Sequence, residues 1–360
     1  MHYSKKNVPL NLLEIQLTSD CNLSCIYCGN SPKLRSSSTS WLPLEIIQKA
    51  ITTLKPKKVL FTGGEVTLAW ERLIEALEFT KKLGLETILS SNLTLIDQQD
   101  IDLLIDKYNV HTFHTSFNDL DLTMTDIIRG GDLKDREKLM NNIEYITKER
   151  KKTLKVETML LKETIPHLPS IHTLLHSLGV RHHKIEFLIP TGYANWDMML
   201  PFTDLVDAIL KTYESKKKGC ILELTCCYLT PCNEEASKLY AIDDPEFIFH
   251  KCVDGKESAY LLANGDFLPC FIFPNHLIDA NIYKHDLLDI WNNNEVFRIA
   301  RSNNEECKSC EFFYKNNAKT NCNNGCWAFL YMEKKSLKDN CSQYIKETLS
   351  NTNLDQQKVY

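Results

Sequence analysis

The sequence predicts an α/β fold: a partial (β/α)6 barrel followed by a small cysteine-rich domain. Two observations predict it. Over the first two hundred residues, short apolar runs of strand length alternate with amphipathic stretches of helix length. Beyond that point the alternation stops and cysteines gather. At 360 residues and 43% hydrophobic, the chain can bury a large core and hold two domains.

Strand-like runs are expected at Leu12–Leu17, Val59–Thr62, Thr87–Ser90, His111–Phe117, Leu154–Leu160 and Lys184–Ile189. Helical patterns fall between most of them, at Pro43–Leu54, Ala69–Leu83, Asp97–Tyr108, Leu133–Arg150 and Leu168–Leu178. Repeated strand–helix–strand units make a parallel sheet with right-handed crossovers, which curls into a TIM-type barrel or part of one. Functional groups then gather at the C-terminal ends of the strands. One more helix is expected at Phe202–Lys216, and Asn264-Gly265 in "YLLANGDFLPC" marks a turn between two short strands. The expected divisions are a barrel over 1–200, a bridging segment over 201–251, a cysteine-rich domain over 252–345 and a flexible tail over 346–360.

A net charge of −5 gives no electrostatic footprint for nucleic acid, and Lys216-Lys217-Lys218 reads as a solvated helix end. "MHYSKKN" has no apolar segment behind it, so no signal peptide is expected. No run approaches the ~18 apolar residues of a membrane helix. The expectation is a soluble cytoplasmic protein, where fourteen cysteines argue for metal or cluster ligation rather than disulfides.

"SDCNLSCIYCGN" places Cys21, Cys25 and Cys28 directly after the first strand, at the mouth of a βα barrel. Three thiolates leave one position open, whereas structural zinc is closed by four ligands. A cubane 4Fe–4S cluster also takes four. Alone, the spacing favours a cluster over zinc only modestly. In "VLFTGGEVTL" the second strand ends in Gly63-Gly64-Glu65, where glycines let backbone approach a ligand closely. By itself such a turn is more often a plain strand-to-helix connection.

Together the two motifs, in this order, resemble the radical S-adenosylmethionine (SAM) superfamily. Tyr27 directly before the third cysteine, "LSSNLTLI" after strand three and "HTFHTSFND" after strand four extend the likeness over roughly Leu12 to Ala194. The resemblance implies that Cys21, Cys25 and Cys28 hold a 4Fe–4S cluster whose open iron chelates SAM. It places Tyr27 beside the adenine, Gly63, Gly64 and Glu65 on the methionine ammonium, and Ser91, Asn92 and Ser116 toward the ribose or carboxylate. Arg129 would pair with the carboxylate. Two positions depart from the family: Val66 stands for the usual proline and Leu93 for the usual glycine.

Seven cysteines follow in the last third: Cys252, Cys270, Cys307, Cys310, Cys322, Cys326 and Cys341. With "NGDFLPC" and "NNGCWAF" they resemble the SPASM extension of radical SAM enzymes, which implies two auxiliary 4Fe–4S clusters. Cys252, Cys270 and Cys326 would hold one cluster, and Cys307, Cys310, Cys322 and Cys341 the other. The fourth ligand of the first would be Cys232 or Cys227. The spacing from Cys310 to Cys322 is longer than the family's and reads as an inserted loop. Two zinc sites are the alternative.

The implied activity is reductive cleavage of SAM to a 5′-deoxyadenosyl radical that takes hydrogen from a substrate. The leading expectation is crosslinking or oxidation of a ribosomally made peptide, with a flavodoxin- or ferredoxin-type electron donor. Some twenty residues before Cys21 leave no room for a fused winged-helix domain, so a separate peptide-recognition protein is a possible partner. A sugar or cyclitol dehydrogenase or epimerase is the second expectation, with a thiol from Cys220–Cys232 as hydrogen donor. A non-catalytic electron-transfer protein is the third. In sulfatase-maturating relatives an aspartate base follows the cysteine equivalent to Cys270; here Phe271 stands there. No acid or base is assigned, although Glu157 and His114 lie on barrel strands.

Overall fold

The computed structural model describes residues 8–29, 41–225, 229–230, 233–250, 252–273, 278–302, 326 and 328–329. Six parallel strands run in chain order: β1 (Leu12–Gln16), β2 (Lys58–Thr62), β3 (Glu86–Ser90), β4 (Thr112–Ser116), β5 (Thr153–Leu160) and β6 (His182–Phe187). Each coincides with a predicted run to within two residues. Two further strands, β7 (Ile221–Thr225) and β8 (Phe247–His250), extend the sheet beyond β6. At the other end β9 (Ser258–Leu261) pairs parallel with β1, and β10 (Phe267–Leu268) pairs antiparallel with β9. The hairpin expected around Asn264-Gly265 is β9–β10, with Gly265 at φ +85°. Among the described residues the result is one ten-stranded sheet, an extended partial barrel in which the cysteine-rich domain contributes the strand beside β1.

The helices α1 (Leu44–Leu54), α2 (Trp70–Lys82) and α3 (Gln98–Asp102) lie in the first three crossovers. A helix absent from the sequence expectations, α4 (Leu122–Arg129), follows β4, and α5 (Leu133–Glu144), α6 (Leu168–Ser177) and α7 (Phe202–Ser215) come after it. Two predicted helices are longer than their α portions because Leu103–Lys107 and Tyr145–Glu149 finish them as π-helical turns. Asp97, Asp121 and Asp132 cap α3, α4 and α5 by accepting from the backbone N–H three residues on.

Strand alternation divides the sheet into two faces. Leu13, Ile15, Val59, Phe61, Leu89, Phe113 and Val156 are buried on the face that packs against the helices. The opposite face carries Glu14, His114, Lys155, Glu157, Lys184 and Glu186, all half-buried, so the lumen is charged.

Candidate functional site

The cysteine loop sits where β1 ends, and three neighbouring segments hold it. Gly64 N–H donates to the Thr18 carbonyl at 2.8 Å, and Glu65 N–H to the Asp20 carbonyl at 2.6 Å. A Cβ on Gly64 would stand 2.2 Å from the Asp20 oxygen, so this approach requires glycine. On a second side, Ser24 N–H donates to the Arg129 carbonyl at 2.9 Å and Ile26 N–H to the Ile128 carbonyl at 3.0 Å. The last carbonyls of α4, which a helix leaves free, therefore receive the loop. On the third side, Tyr193 N–H donates to the Cys28 carbonyl at 3.0 Å.

Glu65 is buried and ties the strand ends together. Its Oε1 accepts from Thr67 N at 3.0 Å, Thr67 Oγ1 at 2.6 Å and Ser91 Oγ at 2.7 Å. Its Oε2 accepts from Asn92 N at 2.7 Å. Three of these bonds fall on Oε1 and one on Oε2, so Oε2 keeps an acceptor position. Asn92 Nδ2 reaches the cysteine loop at Asn22 Oδ1, 2.8 Å away. Glu65, Ser91 and Asn92 are thus one hydrogen-bonded group.

Arg129 is 3% exposed, and its Nη1 donates to the Ser116 carbonyl at 3.0 Å. Burial works against its charge, but Tyr27, Cys25 and Asp119 together hold its pKa above the usual arginine value. The Tyr27 hydroxyl accepts from Asn118 Nδ2 at 2.7 Å, and burial pushes its own pKa up. Tyr27, Ser116 and Arg129 therefore meet beneath the loop. Both departures from the family have local explanations. Val66 begins a short 3-10 turn, a position that suits proline but does not demand it. Leu93 has φ +59°, the left-handed conformation that favours glycine, and this chain keeps a buried leucine there.

In the second domain Cys252, Cys270 and Cys326 share one neighbourhood, where Asp254 and Cys326 add to the cost of charging Cys252 and Cys270. Burial, the larger cause, pushes the Cys252 and Cys270 pKa values well above the thiol range. Without a cationic group these sulfurs stay protonated, and bound iron would supply the positive charge that thiolates there need. Among the described residues no three His, Cys, Asp or Glu side chains converge on a point suited to one metal ion. A cubane asks for less convergence, because each thiolate takes its own iron. Cys232, Cys227, Cys307, Cys310, Cys322 and Cys341 lie outside the described residues. Cys220 is buried at the N-terminal end of β7, away from the mouth, which removes it as a hydrogen donor.

The lumen below the mouth is a set of ion pairs. Glu223 takes Lys155 Nζ at 2.8 Å, His250 Nδ1 at 2.9 Å and His182, which outweigh burial and hold its carboxyl far below the usual range. Lys184 pairs with Glu186 and, at 3.4 Å, with Glu157. Burial, then Lys155, lowers His114 to about 3, so it is neutral at physiological pH.

Residues 15–175 match the Radical SAM superfamily, and residues 252–311 match the SPASM iron–sulfur cluster-binding domain. The chain is 25% identical over 328 residues to an AdoMet-dependent heme synthase of Methanosarcina barkeri, covering 85% of this chain and 89% of that one. It is 25% identical over 318 residues to a PqqA peptide cyclase of Bradyrhizobium diazoefficiens, covering 85% and 79%. The fold matches Streptococcus suis SuiB bound to S-adenosylmethionine with a TM-score of 0.72 at 19% identity, covering 94% of this chain and 78% of that one. Among the described residues no helix is long and apolar enough to cross a membrane. The two matches, over the barrel with its cysteine loop and over the cysteine nest beside β1, place this chain in the radical SAM superfamily with a C-terminal SPASM domain.

Proposed function

We propose that the chain modifies a ribosomally made peptide, by crosslinking or oxidation, through hydrogen abstraction in the barrel lumen. The 4Fe–4S cluster and SAM supply, when bound and reduced, a 5′-deoxyadenosyl radical able to attack an unactivated carbon. The protein binds, orients and shields. Cys21, Cys25 and Cys28 would hold the cluster, with Gly63, Gly64 and Glu65 toward the ammonium and Tyr27 beside the adenine. Ser91, Asn92, Ser116 and Arg129 would face the ribose and carboxylate. Cys252, Cys270, Cys326 and Cys232 would hold one auxiliary cluster, and Cys307, Cys310, Cys322 and Cys341 the other. A flavodoxin- or ferredoxin-type protein would deliver electrons.

The observation that carries the radical chemistry is the seating of the cysteine loop on Gly64 and Glu65 at the end of a charged sheet face. The match to PqqA peptide cyclases over most of both chains supports a peptide substrate. Phe271 in place of an aspartate argues for a product other than formylglycine. A small-molecule substrate is the second reading, favoured by the equally extensive match to the heme synthase.

Anaerobic reconstitution tests both levels. Iron near twelve per chain and formation of 5′-deoxyadenosine from SAM are expected, since three cubanes carry about four irons each. A count near four would remove the auxiliary clusters, and absence of 5′-deoxyadenosine with every candidate substrate would remove the radical reading. Processing of a short peptide encoded beside the gene supports the first reading over the second.

A further inference from the structure

Asn118, in the segment after β4, is fully buried and uses both ends of its side chain. Its Oδ1 accepts from Met159 N at 2.7 Å, and its Nδ2 donates to the Tyr27 hydroxyl oxygen at 2.7 Å. The first bond stands where the ladder between β4 and β5 runs out. Phe117 N–H still reaches the Glu157 carbonyl at 2.9 Å, but Thr158 Oγ1 takes the Phe117 carbonyl at 2.6 Å. Met159 N–H therefore turns to the Asn118 side chain.

These two bonds fix the sense of the amide. A backbone N–H only donates, so the atom facing Met159 is the oxygen and the atom facing Tyr27 is the nitrogen. The phenol oxygen must then accept, and its own hydrogen points away from Asn118. Tyr27 lies inside the turn that Cys28 N–H closes on the Cys25 carbonyl at 3.2 Å. Its ring packs with Met159 against Ile128, Leu161 and Leu188, which holds the phenol in one place. Of the charged groups around it, Cys25 bears on it most, ahead of Arg129. A thiolate on iron accepts hydrogen bonds, and one donated to it eases the extra negative charge of a reduced cluster.

We propose that Asn118 makes Tyr27 a hydrogen-bond donor to the Cys25 sulfur and so raises the reduction potential of the cluster held by Cys21, Cys25 and Cys28. The assignment rests on the cluster reading above. Asn118 is a positioning residue that acts through Tyr27, and no covalent bond to either changes. The amide is what the device depends on. An aspartate at position 118 would accept at both ends, so it would take the phenol hydrogen for itself and turn it away from the sulfur.

The test uses the full-length chain and the variants Tyr27→Phe, Asn118→Asp and the two combined. Asn118→Asp keeps an acceptor for Met159 N–H, so the fold is spared that loss. The first readout is the tyrosine Raman doublet of the iron-free protein, with the matching Tyr27→Phe spectrum subtracted to isolate Tyr27. Its intensity ratio separates a phenol that accepts from one that only donates, and Asn118→Asp should shift it toward the donor. The second readout is an EPR-monitored redox titration of the reconstituted protein without SAM, following the cluster whose signal changes when SAM is added. Tyr27→Phe and Asn118→Asp should both shift its midpoint to lower potential, whereas a merely structural role leaves it in place. The acid's own charge adds to the second shift, so Asn118→Asp should shift the midpoint less in the Tyr27→Phe background than in wild type. An unchanged doublet in Asn118→Asp, or an unchanged midpoint in Tyr27→Phe, overturns the proposal; weaker SAM binding with an unchanged midpoint assigns the phenol hydrogen to SAM and overturns it too. A wild type that takes up no cluster strikes the cluster reading instead, and the doublet still decides which way the phenol hydrogen points.

Discussion

The ring of Phe271 occupies the space where a side chain on Gly29 would stand, with Cε1 2.7 Å from the position a Cβ would take. Each residue directly follows a cysteine, Cys28 and Cys270, so the two cysteine nests meet through this contact. Gly29→Ala should cost about 1–3 kcal/mol by overpacking. Phe271→Ala in the same background should recover part of that loss. A double-mutant cycle on thermal or denaturant unfolding measures the coupling, and strictly additive effects would show that the contact does not form in solution.

Leu93 sets strain against burial. Its left-handed backbone costs about 1–2 kcal/mol for a residue with a Cβ. Removing a fully buried leucine side chain costs about 2–5 kcal/mol. Burial wins, so Leu93→Gly should lower stability despite restoring the family's residue. A rise in melting temperature would reverse that ranking.

Glu65 accepts four hydrogen bonds, and a glutamine can reproduce only part of the set. Its amide group must point at either Asn92 N–H or Thr67 N–H, leaving a buried donor facing a donor. Glu65→Gln should therefore destabilise the fold by about 1–3 kcal/mol before any cofactor is added. Ser91→Ala, which removes a donor and leaves the carboxylate intact, should cost less. Unfolding of the iron-free protein gives both numbers.

His172 on α6 and His183 on β6 are buried with their Nδ1 atoms 2.9 Å apart, a spacing that needs one proton between them. Burial lowers His172 to about 4 and His183 well below the usual value of 6.5. Below about pH 6.5 the unfolded chain takes up protons that the folded chain refuses, so stability falls as pH drops toward 4. His172 alone contributes on the order of 2–3 kcal/mol to that loss. His172→Asn should flatten the melting-temperature profile between pH 6.5 and 4, and an unchanged slope would place the proton uptake elsewhere.

The six barrel strands are legible because each is a short apolar run bounded by turn residues. α4 is not, because its buried positions are Thr125, Ile128 and Arg129, which make no apolar stripe. Pairing of β1 with β9 joins residues more than two hundred positions apart, and nothing local announces it. The cysteines and Gly63-Gly64-Glu65 are visible as motifs. Their supports are largely backbone, the carbonyls of Ile128 and Arg129 and the N–H of Tyr193, and a backbone group leaves no mark on the residue type. The charged lumen was half visible: Glu157 and His114 stand out on their strands, but only the register shows Glu14 opposite Tyr260.

The place of β9 also fixes an order of events during synthesis. β1 emerges before the other strands of its sheet, yet one of its two hydrogen-bonding sides has no strand until residue 258 follows. A chain stopped near residue 250 would carry β1 as a bare edge, a template for pairing with other chains. The barrel's oldest strand is thus finished by nearly its youngest, so shortened forms should aggregate on the ribosome or soon after leaving it.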